Sequence, residues 1–436
     1  MKRRKHGPPS GPLAGKVVEL VVERLGGRGD GIARLDAHQL FLPFTVPGDR
    51  VRARVAGRRG DGLAGSVIER LHDGPHRAPP LCRHFEACGG CAVQHLDEDL
   101  YVRWKTGLLE QALASQGLPA DGLVPLARLP LGKRRRAGFA FRRLGRGLVL
   151  GFNARASANI VDLEACVVLD PAIVALLPAL RTLLAELIEP GGTGEAILTL
   201  TENGLDLLLV AEAALDLFRR EKLADFAQAH DLARLSWRRP EEKSASPVAE
   251  RRPPRLTLGG VEVVPPPGAF LQASPEGERV IVAAVIAALG SARRVADLYA
   301  GLGTLTLPLA VAGARLKAVE GDAEALAALV QAIRRHPSLR IETERRDLAR
   351  QPVEAAELDG FEAVVFDPPR AGALAQAREL ARSRLVKTAV AVSCNPATLA
   401  RDAAILVRAG WRLEALTPID PFPFSPHLEV VAGFRR

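Results

Sequence analysis

Ser393-Cys394-Asn395-Pro396 sets a thiol at the end of the apolar run 387–392. That run reads as a short buried strand, and the Asn-Pro pair stops it. The thiol therefore sits where a strand meets a loop, the place at which ligands bind in open α/β sheets. An isolated cysteine is more often a small buried core residue than a nucleophile, so the rest of the chain has to decide. Of its five cysteines, four lie in the first 166 residues and Cys394 stands apart. Four is a metal-site number and one is a nucleophile number. Cys82, Cys88 and Cys91 have the spacing C-x5-C-x2-C around Gly89-Gly90, and the glycines let the backbone turn back on one centre. Cys166 is the candidate fourth ligand. Four thiolates hold either an iron–sulfur cluster or a structural zinc, and the spacing alone does not choose.

The elements that would position Cys394 follow from about residue 276 onward, where strands and helices alternate. The run 294–299 is a strand, Gly301 and Gly303 make a tight turn, a helix starts at 305, and 316–320 is a strand ending in Glu320. This is a βαβ nucleotide unit whose glycines admit a ligand to the backbone and whose second-strand acid takes ribose hydroxyls. A nicotinamide dinucleotide and S-adenosylmethionine both fit it. Thr306 stands where the dinucleotide fingerprint has its third glycine, which favours S-adenosylmethionine, a ligand with no pyrophosphate to seat. A later strand, 363–366, ends in Asp367-Pro368-Pro369-Arg370, with prolines stiffening the loop. The glycine turn, Asp367, Cys394 and Glu429 are expected to converge on one rim.

Upstream, residues 15–70 pattern as a small β-barrel of five short strands. Arg50, Arg52 and Arg54 alternate with Val51, Ala53 and Val55, which puts the arginines on one face. The module resembles a TRAM domain, an OB-type RNA-binding barrel. The charge balance points the same way: 59 Lys and Arg against 50 Asp and Glu leave +9, with a pI near 9.7. That favours a polyanionic partner, nucleic acid first. Lys133-Arg134-Arg135-Arg136 leads into a hairpin read as contacting phosphate. His84 and His95 are read as surface or RNA-facing residues. A helix is expected over 171–188, a hairpin over 196–210 and a loop over 238–255. A hydrophobic fraction of 47% indicates a globular chain. Five cysteines do not suggest a disulfide scaffold, and no apolar run is long enough to span a membrane or to form a signal peptide. A cytoplasmic protein is expected, with a basic disordered arm (1–14), the barrel (15–71), a central domain (72–255) and a C-terminal domain (256–436).

Five stretches together resemble the S-adenosylmethionine-dependent RNA uridine-5-methyltransferases: Phe270-Leu271-Gln272, the run 297–303, Asp367-Pro368-Pro369-Arg370, Ser393-Cys394-Asn395-Pro396 and His427-Leu428-Glu429. The cysteine set and the barrel resemble the iron–sulfur, 23S ribosomal RNA branch of that family. The resemblance implies an α/β fold with a C-terminal Rossmann-like class I methyltransferase domain, an N-terminal OB-type barrel and a central α+β domain with an iron–sulfur site. It implies that Gln272, Tyr299, Thr304, Glu320, Asp347 and Asp367 contact S-adenosylmethionine, that Cys394 is the nucleophile and that Glu429 is the base. It implies that Cys82, Cys88, Cys91 and Cys166 hold a [4Fe-4S] cluster, with zinc as the alternative. Ala300, Ser274, Thr304 and Val167 depart from the family pattern without removing a reacting group. No obligate protein partner is implied. The chemistry is coherent: uracil C5 is a poor nucleophile, and a thiolate adding at C6 activates it. A base must then remove the C5 proton, and the target base must leave its stack to reach the pocket. Two other classes compete, a non-catalytic RNA-binding protein with a degenerate methyltransferase domain and an iron–sulfur redox enzyme with a nicotinamide cofactor.

Overall fold

The computed structural model describes residues 13–436. The basic arm expected over 1–14 lies almost wholly outside the described residues. Contacts divide the chain into two compact units. The smaller comprises the described residues through Leu108, with Ala154–Ser157 and Phe424–Pro426; the larger comprises the remainder.

In the smaller unit, β1 (Val17–Val21), β2 (Arg24–Leu25), β3 (Gly31–Leu35), β4 (His38–Leu42), β5 (Arg50–Arg59) and β6 (Gly62–His72) form one sheet in the order β1-β5-β6-β4-β3-β2. The sheet is antiparallel except where β4 meets β6. Six strands replace the five expected, because β2 is two residues long and carries no periodicity to detect. The alternation in β5 holds: Val51, Ala53 and Val55 are buried in a core shared with Val22, Leu35, Leu40 and Leu42. Two of the three outward arginines are already engaged, however. Arg52 pairs with Glu19 at 2.9 Å and Glu69 at 2.7 Å, and Arg50 with Glu19 at 3.5 Å. Their charge is thus partly met within the sheet. His95 departs from its expected surface position. It is buried, packed against Phe44 and Phe85, with Nε2 3.2 Å from the Thr45 carbonyl oxygen. Burial pushes its pKa down to about 4, so the ring stays neutral. Helix α1 (Glu98–Ala114) follows.

In the larger unit, β7 (Ala127–Arg128) precedes β8 (Arg136–Arg143), β9 (Leu148–Asn153), β10 (Ile160–Asp162), helix α2 (Pro171–Leu187), β11 (Thr193–Thr201), β12 (Gly204–Ala211), helix α3 (Leu217–Ala229), β13 (Arg234–Arg238) and β14 (Ser246–Glu250). A seven-stranded sheet runs β10-β9-β8-β11-β12-β13-β14. Asp170 caps α2 by accepting from the Ala172 amide, proline opens the helix, and a leucine stripe from Leu176 to Leu187 buries against the sheet. The stretch 238–255 is not all loop. β14 lies inside it as an edge strand, the position at which a sheet tolerates a proline such as Pro247. The basic cluster also turns inward. Arg135 is buried, donates to the Gln272 carbonyl at 3.1 Å and pairs with Glu278 at 2.6 Å. Arg143 donates to the carbonyls of Ala185, Leu144 and Gly147. These guanidinium groups tie loops down, while Lys133 and Arg142 remain exposed.

After a short ribbon, β15 (Leu256–Leu258) with β16 (Val261–Val263), come α4 (Pro275–Leu289), β17 (Arg294–Leu298), α5 (Thr306–Val311), β18 (Arg315–Glu320), α6 (Ala323–Arg334), β19 (Ile341–Arg345), α7 (Ala355–Leu358), β20 (Ala363–Phe366), α8 (Leu374–Arg382), β21 (Thr388–Ser393), α9 (Pro396–Arg408), β22 (Arg412–Asp420) and β23 (Glu429–Arg435). They build an eight-stranded sheet ordered β19-β18-β17-β20-β21-β23-β22-β7. β17 to β21 are parallel, and β23 runs antiparallel to both β21 and β22. β20 and β21 are buried on both faces, as central strands covered by helices must be. From β17 the chain moves outward through β18 and β19, then returns to the other side through β20 and β21. The ends of β17 and β20 therefore flank a topological switch point, where ligands bind in such sheets. Among the described residues no helix is long and apolar enough to cross a membrane.

Candidate active site

β17 delivers Asp297, and the chain then bends sharply. Tyr299 has φ of 65°, a left-handed conformation unusual for a bulky side chain. Such outliers cluster at functional sites. The glycine turn follows, with Gly301 at φ 56° and Gly303 at φ 91°. A side chain at Gly303 would run into Leu329 and Leu307, whereas one at Gly301 would meet nothing within 4 Å, so the turn is open above Gly301. Glu320, at the end of β18, braces the turn: Oε2 accepts from the Gly301 amide at 2.8 Å and Oε1 from the Asp322 amide at 2.7 Å. Arg346 donates its amide to the Glu320 carbonyl at 3.0 Å, which sets the neighbouring Asp347 at the adjoining strand end. Asp347 is exposed and accepts from the Ala349 amide at 3.1 Å. Thr304 is half-buried in the same turn.

The second half of the rim comes from β20, β21 and β23. Asp367 follows β20 and accepts from Gln272 Nε2 at 3.0 Å, a bond between residues 95 apart in the chain. Ser393 pairs with Val430, so the next positions outward, Cys394 and Glu429, meet at the same end of their strands. Glu429 is buried at 3% exposure, and Cys394 is half-buried. Asn395 caps α9, accepting from the Ala397 amide at 3.2 Å, and donates Nδ2 to the Arg370 carbonyl at 3.2 Å. It thereby ties the Cys394 loop to the Asp-Pro-Pro-Arg loop. The structure thus brings Gln272, Asp367, Cys394 and Glu429 to one end of the sheet, with Tyr299, Thr304, Glu320 and Asp347 along the adjoining strand ends.

The electrostatics run against an easily ionised thiol. Burial, then the carboxylates of Glu429 and Asp367, push Cys394 up to about 11, against a weaker opposing pull from Arg370. The protein's own groups therefore do not favour the thiolate. Burial raises Glu429 well above the ordinary carboxylate range, and Asp367 raises it further. Asp367 is itself raised by burial, with the Gln272 hydrogen bond pulling the other way.

Asp297 opens the motif run 297–303, in which the sequence alone assigns it no role. It is fully buried, its Oδ2 accepts from Thr306 Oγ1 at 2.5 Å, and its Oδ1 has no hydrogen-bond partner among the described residues. Burial raises its pKa from 3.8 to about 7, with Asp367 and Glu320 adding to the rise. The native state then holds this proton more tightly than the unfolded chain, so between these two values stability falls as pH rises. Asp297→Asn keeps an acceptor for Thr306 and cannot ionise. It is expected to stabilise the protein without added cofactor by a few kcal/mol above pH 7 and by little near pH 4. Denaturant unfolding of both proteins across that range checks this, and a gain independent of pH would contradict it.

Residues 267–434, which include every one of these rim residues, match the family described as tRNA (Uracil-5-)-methyltransferase. Over the whole chain, an uncharacterized RNA methyltransferase of Brucella suis biovar 1 is 43% identical, across 96% of this chain and 97% of its own length. The 23S rRNA (uracil(1939)-C(5))-methyltransferase of Chromohalobacter salexigens is 36% identical over 94% of this chain and 87% of its own. The chain belongs to the RNA (uracil-5-)-methyltransferase family. Its fold is that of a solved relative, the Pyrococcus abyssi tRNA (uracil-54, C5)-methyltransferase in complex with S-adenosyl-L-homocysteine. The two superpose with a TM-score of 0.73 at 22% identity, over 96% of this chain and 100% of that one. As in its family, the chain is an S-adenosylmethionine-dependent RNA methyltransferase acting at uracil C5.

The contacts that Asn395 and Thr306 make are also not among the sequence-based expectations. Asn-Pro ahead of a helix is a capping signal that could have identified Asn395; nothing local marks Thr306 as the partner of a buried acid. Among the described residues, no group of three or more His, Cys, Asp and Glu side chains is arranged to hold a metal ion.

Proposed function

We propose that this protein methylates C5 of a uridine in 23S ribosomal RNA through a transient covalent bond between Cys394 Sγ and uracil C6. The observation that carries the reading is the meeting of Cys394 and Glu429 at the facing ends of β21 and β23, beside the Gln272–Asp367 pair. The Chromohalobacter relative supports a ribosomal substrate.

In this reading Cys394 adds to C6, which makes C5 nucleophilic. When bound, S-adenosylmethionine supplies the methyl group. Glu429 then takes the C5 proton, and the C6–S bond breaks as the C5–C6 double bond re-forms and the thiolate leaves. Gln272, Tyr299, Thr304, Glu320, Asp347 and Asp367 are assigned to the cofactor. The open turn above Gly301 and the unpartnered Oδ1 of Asp297 fit a polar ligand lying over these strand ends. Phe270 is 74% exposed two residues from Gln272 and is available to stack on a base.

We assign Cys82, Cys88, Cys91 and Cys166 to a [4Fe-4S] cluster, with zinc as the alternative. The donor set suits it, and the Gly90 amide donates to Cys88 Sγ at 3.4 Å, the kind of bond that stabilises a metal-bound thiolate. The sheet of the smaller unit is read as the TRAM barrel (15–71), followed by a central RNA-binding domain (72–255) and the methyltransferase domain (256–436).

The test is a trap. Ribosomal RNA transcripts carrying 5-fluorouridine are incubated with the protein and S-adenosylmethionine, and covalent complexes are resolved under denaturing conditions. Fluorine cannot leave as a proton, so the adduct is expected to persist and to map one uridine. An adduct with transfer RNA alone would reassign the substrate, and none with either RNA would defeat the covalent reading.

A further inference from the structure

The rim gathers acids from separate strands. Asp297 lies next to the end of β17, Asp367 follows β20 and Glu429 opens β23, with Glu320 ending β18 beside them. Asp297 and Glu429 are at most 3% exposed. Their partners are few and neutral: Thr306 donates to Asp297, and Gln272 donates to Asp367. Arginine does not fill the gap. Arg135, which holds the Gln272 carbonyl, is matched by Glu278, and Arg370 is exposed. An isolated buried charge is costly, and a cluster of like charges more so, so such groups neutralise by binding protons. The unpartnered Oδ1 of Asp297 is a second sign that the cluster is incomplete without something that donates or carries positive charge.

We propose that Asp297, Asp367 and Glu429 act as one proton-holding cluster, which releases a proton when the sulfonium cation of S-adenosylmethionine is seated at this rim and regains it once methyl transfer leaves an uncharged thioether. This rests on the cofactor assignment above and adds to it a linkage between cofactor charge and site protonation. A cation within a few ångström favours the ionised carboxylates, and the proton they give up goes to solvent. The elevated affinities for protons support it: burial holds Asp297 and Asp367 near 7 and lifts Glu429 well above the ordinary carboxylate range, with charged Asp367 adding to Asp297 and Glu429, and Glu320 to Asp297. The other groups facing the cluster are Glu320 towards Asp297, and Cys394 with Arg370 beside Glu429 and Asp367. Asp347 and Asp402 face Tyr299. Two consequences follow. Seating the cofactor shifts Glu429 towards the carboxylate, the form that can accept the C5 proton. Loss of the sulfonium charge weakens the hold on the product.

The test is calorimetric titration of the full-length protein with S-adenosylmethionine, and separately with S-adenosylhomocysteine, in two buffers of different ionisation enthalpy at pH 7, repeated between pH 6 and pH 8. The two ligands share the amino-acid and adenosine parts and differ in the sulfonium. Release of about one proton is expected with S-adenosylmethionine, with affinity rising up to about tenfold per pH unit below pH 7. S-adenosylhomocysteine is expected to release less and to show a shallower profile. The release is expected to shrink in Asp297→Asn and in Glu429→Gln. Heats independent of buffer, equal release with both ligands, or release unchanged in both variants would overturn the proposal. Failure of S-adenosylmethionine to bind at any pH would instead defeat the cofactor assignment on which it rests.

Discussion

Cys394→Ala is expected to lower methyl transfer to RNA by about 10⁴-fold or more while leaving the dissociation constant for S-adenosylmethionine within a few-fold. The split follows from the geometry. Cys394 stands just beyond β21, half-buried, outside the packed cores on either face of the sheet. Its loss creates no large cavity, and the cofactor strand ends at β17 and β18 keep their bracing from Glu320. What is lost is the group that makes C5 nucleophilic. Neighbouring residues cannot replace it: Ser393 is buried, its Oγ 3.3 Å from the Asn395 amide, which it accepts. Single-turnover transfer of a labelled methyl group, with cofactor binding measured in parallel, checks the result. Residual transfer within about tenfold of the unaltered protein would mean that the thiol does not attack the base.

That thiol was legible in the sequence because a strand, a cysteine and an Asn-Pro stop are local signals. Most of the fold was legible for the same reason. The α2 helix carries its cap, proline and leucine stripe in one stretch, and the alternation of β5 survives into the structure residue by residue. What sequence could not show was where side-chain charge goes. The cluster 133–136 reads as a phosphate-binding face, yet Arg135 is spent on Glu278, which is 143 residues away. His95 reads as polar surface, yet two aromatic-ring contacts and a carbonyl bury it, two of its partners being Phe44 and Thr45 some fifty residues upstream. β14 was hidden by a proline that its edge position tolerates. Asp297 was visible as a letter in a motif, but its burial and its missing partner are properties of four strands and a helix assembled together. Local patterning is written in one segment; pairing and desolvation depend on segments brought together only by folding.

Glu429→Gln separates the two halves of the reaction. The amide has the shape of the carboxyl group and can still accept a hydrogen bond, but it cannot take a proton at neutral pH. Attack by Cys394 and methyl addition at C5 do not require that proton to leave, whereas elimination of the thiolate does. The variant is therefore expected to turn over about 10²- to 10⁴-fold more slowly and, unlike the unaltered protein, to accumulate a covalent complex with ordinary uridine-containing RNA, carrying the new methyl group. The fold should not suffer. Glu429 is 3% exposed and its carboxyl is held neutral by burial, so a neutral amide is a closer match to the resting group than its own carboxylate would be. A denaturing gel with labelled cofactor reads both predictions at once: label that migrates with protein bound to RNA places Glu429 after methyl addition. Slow turnover without trapped complex would place it earlier, in forming the thiolate. Unchanged turnover would assign the proton to another group at the rim, of which Asp367 is the nearest in kind.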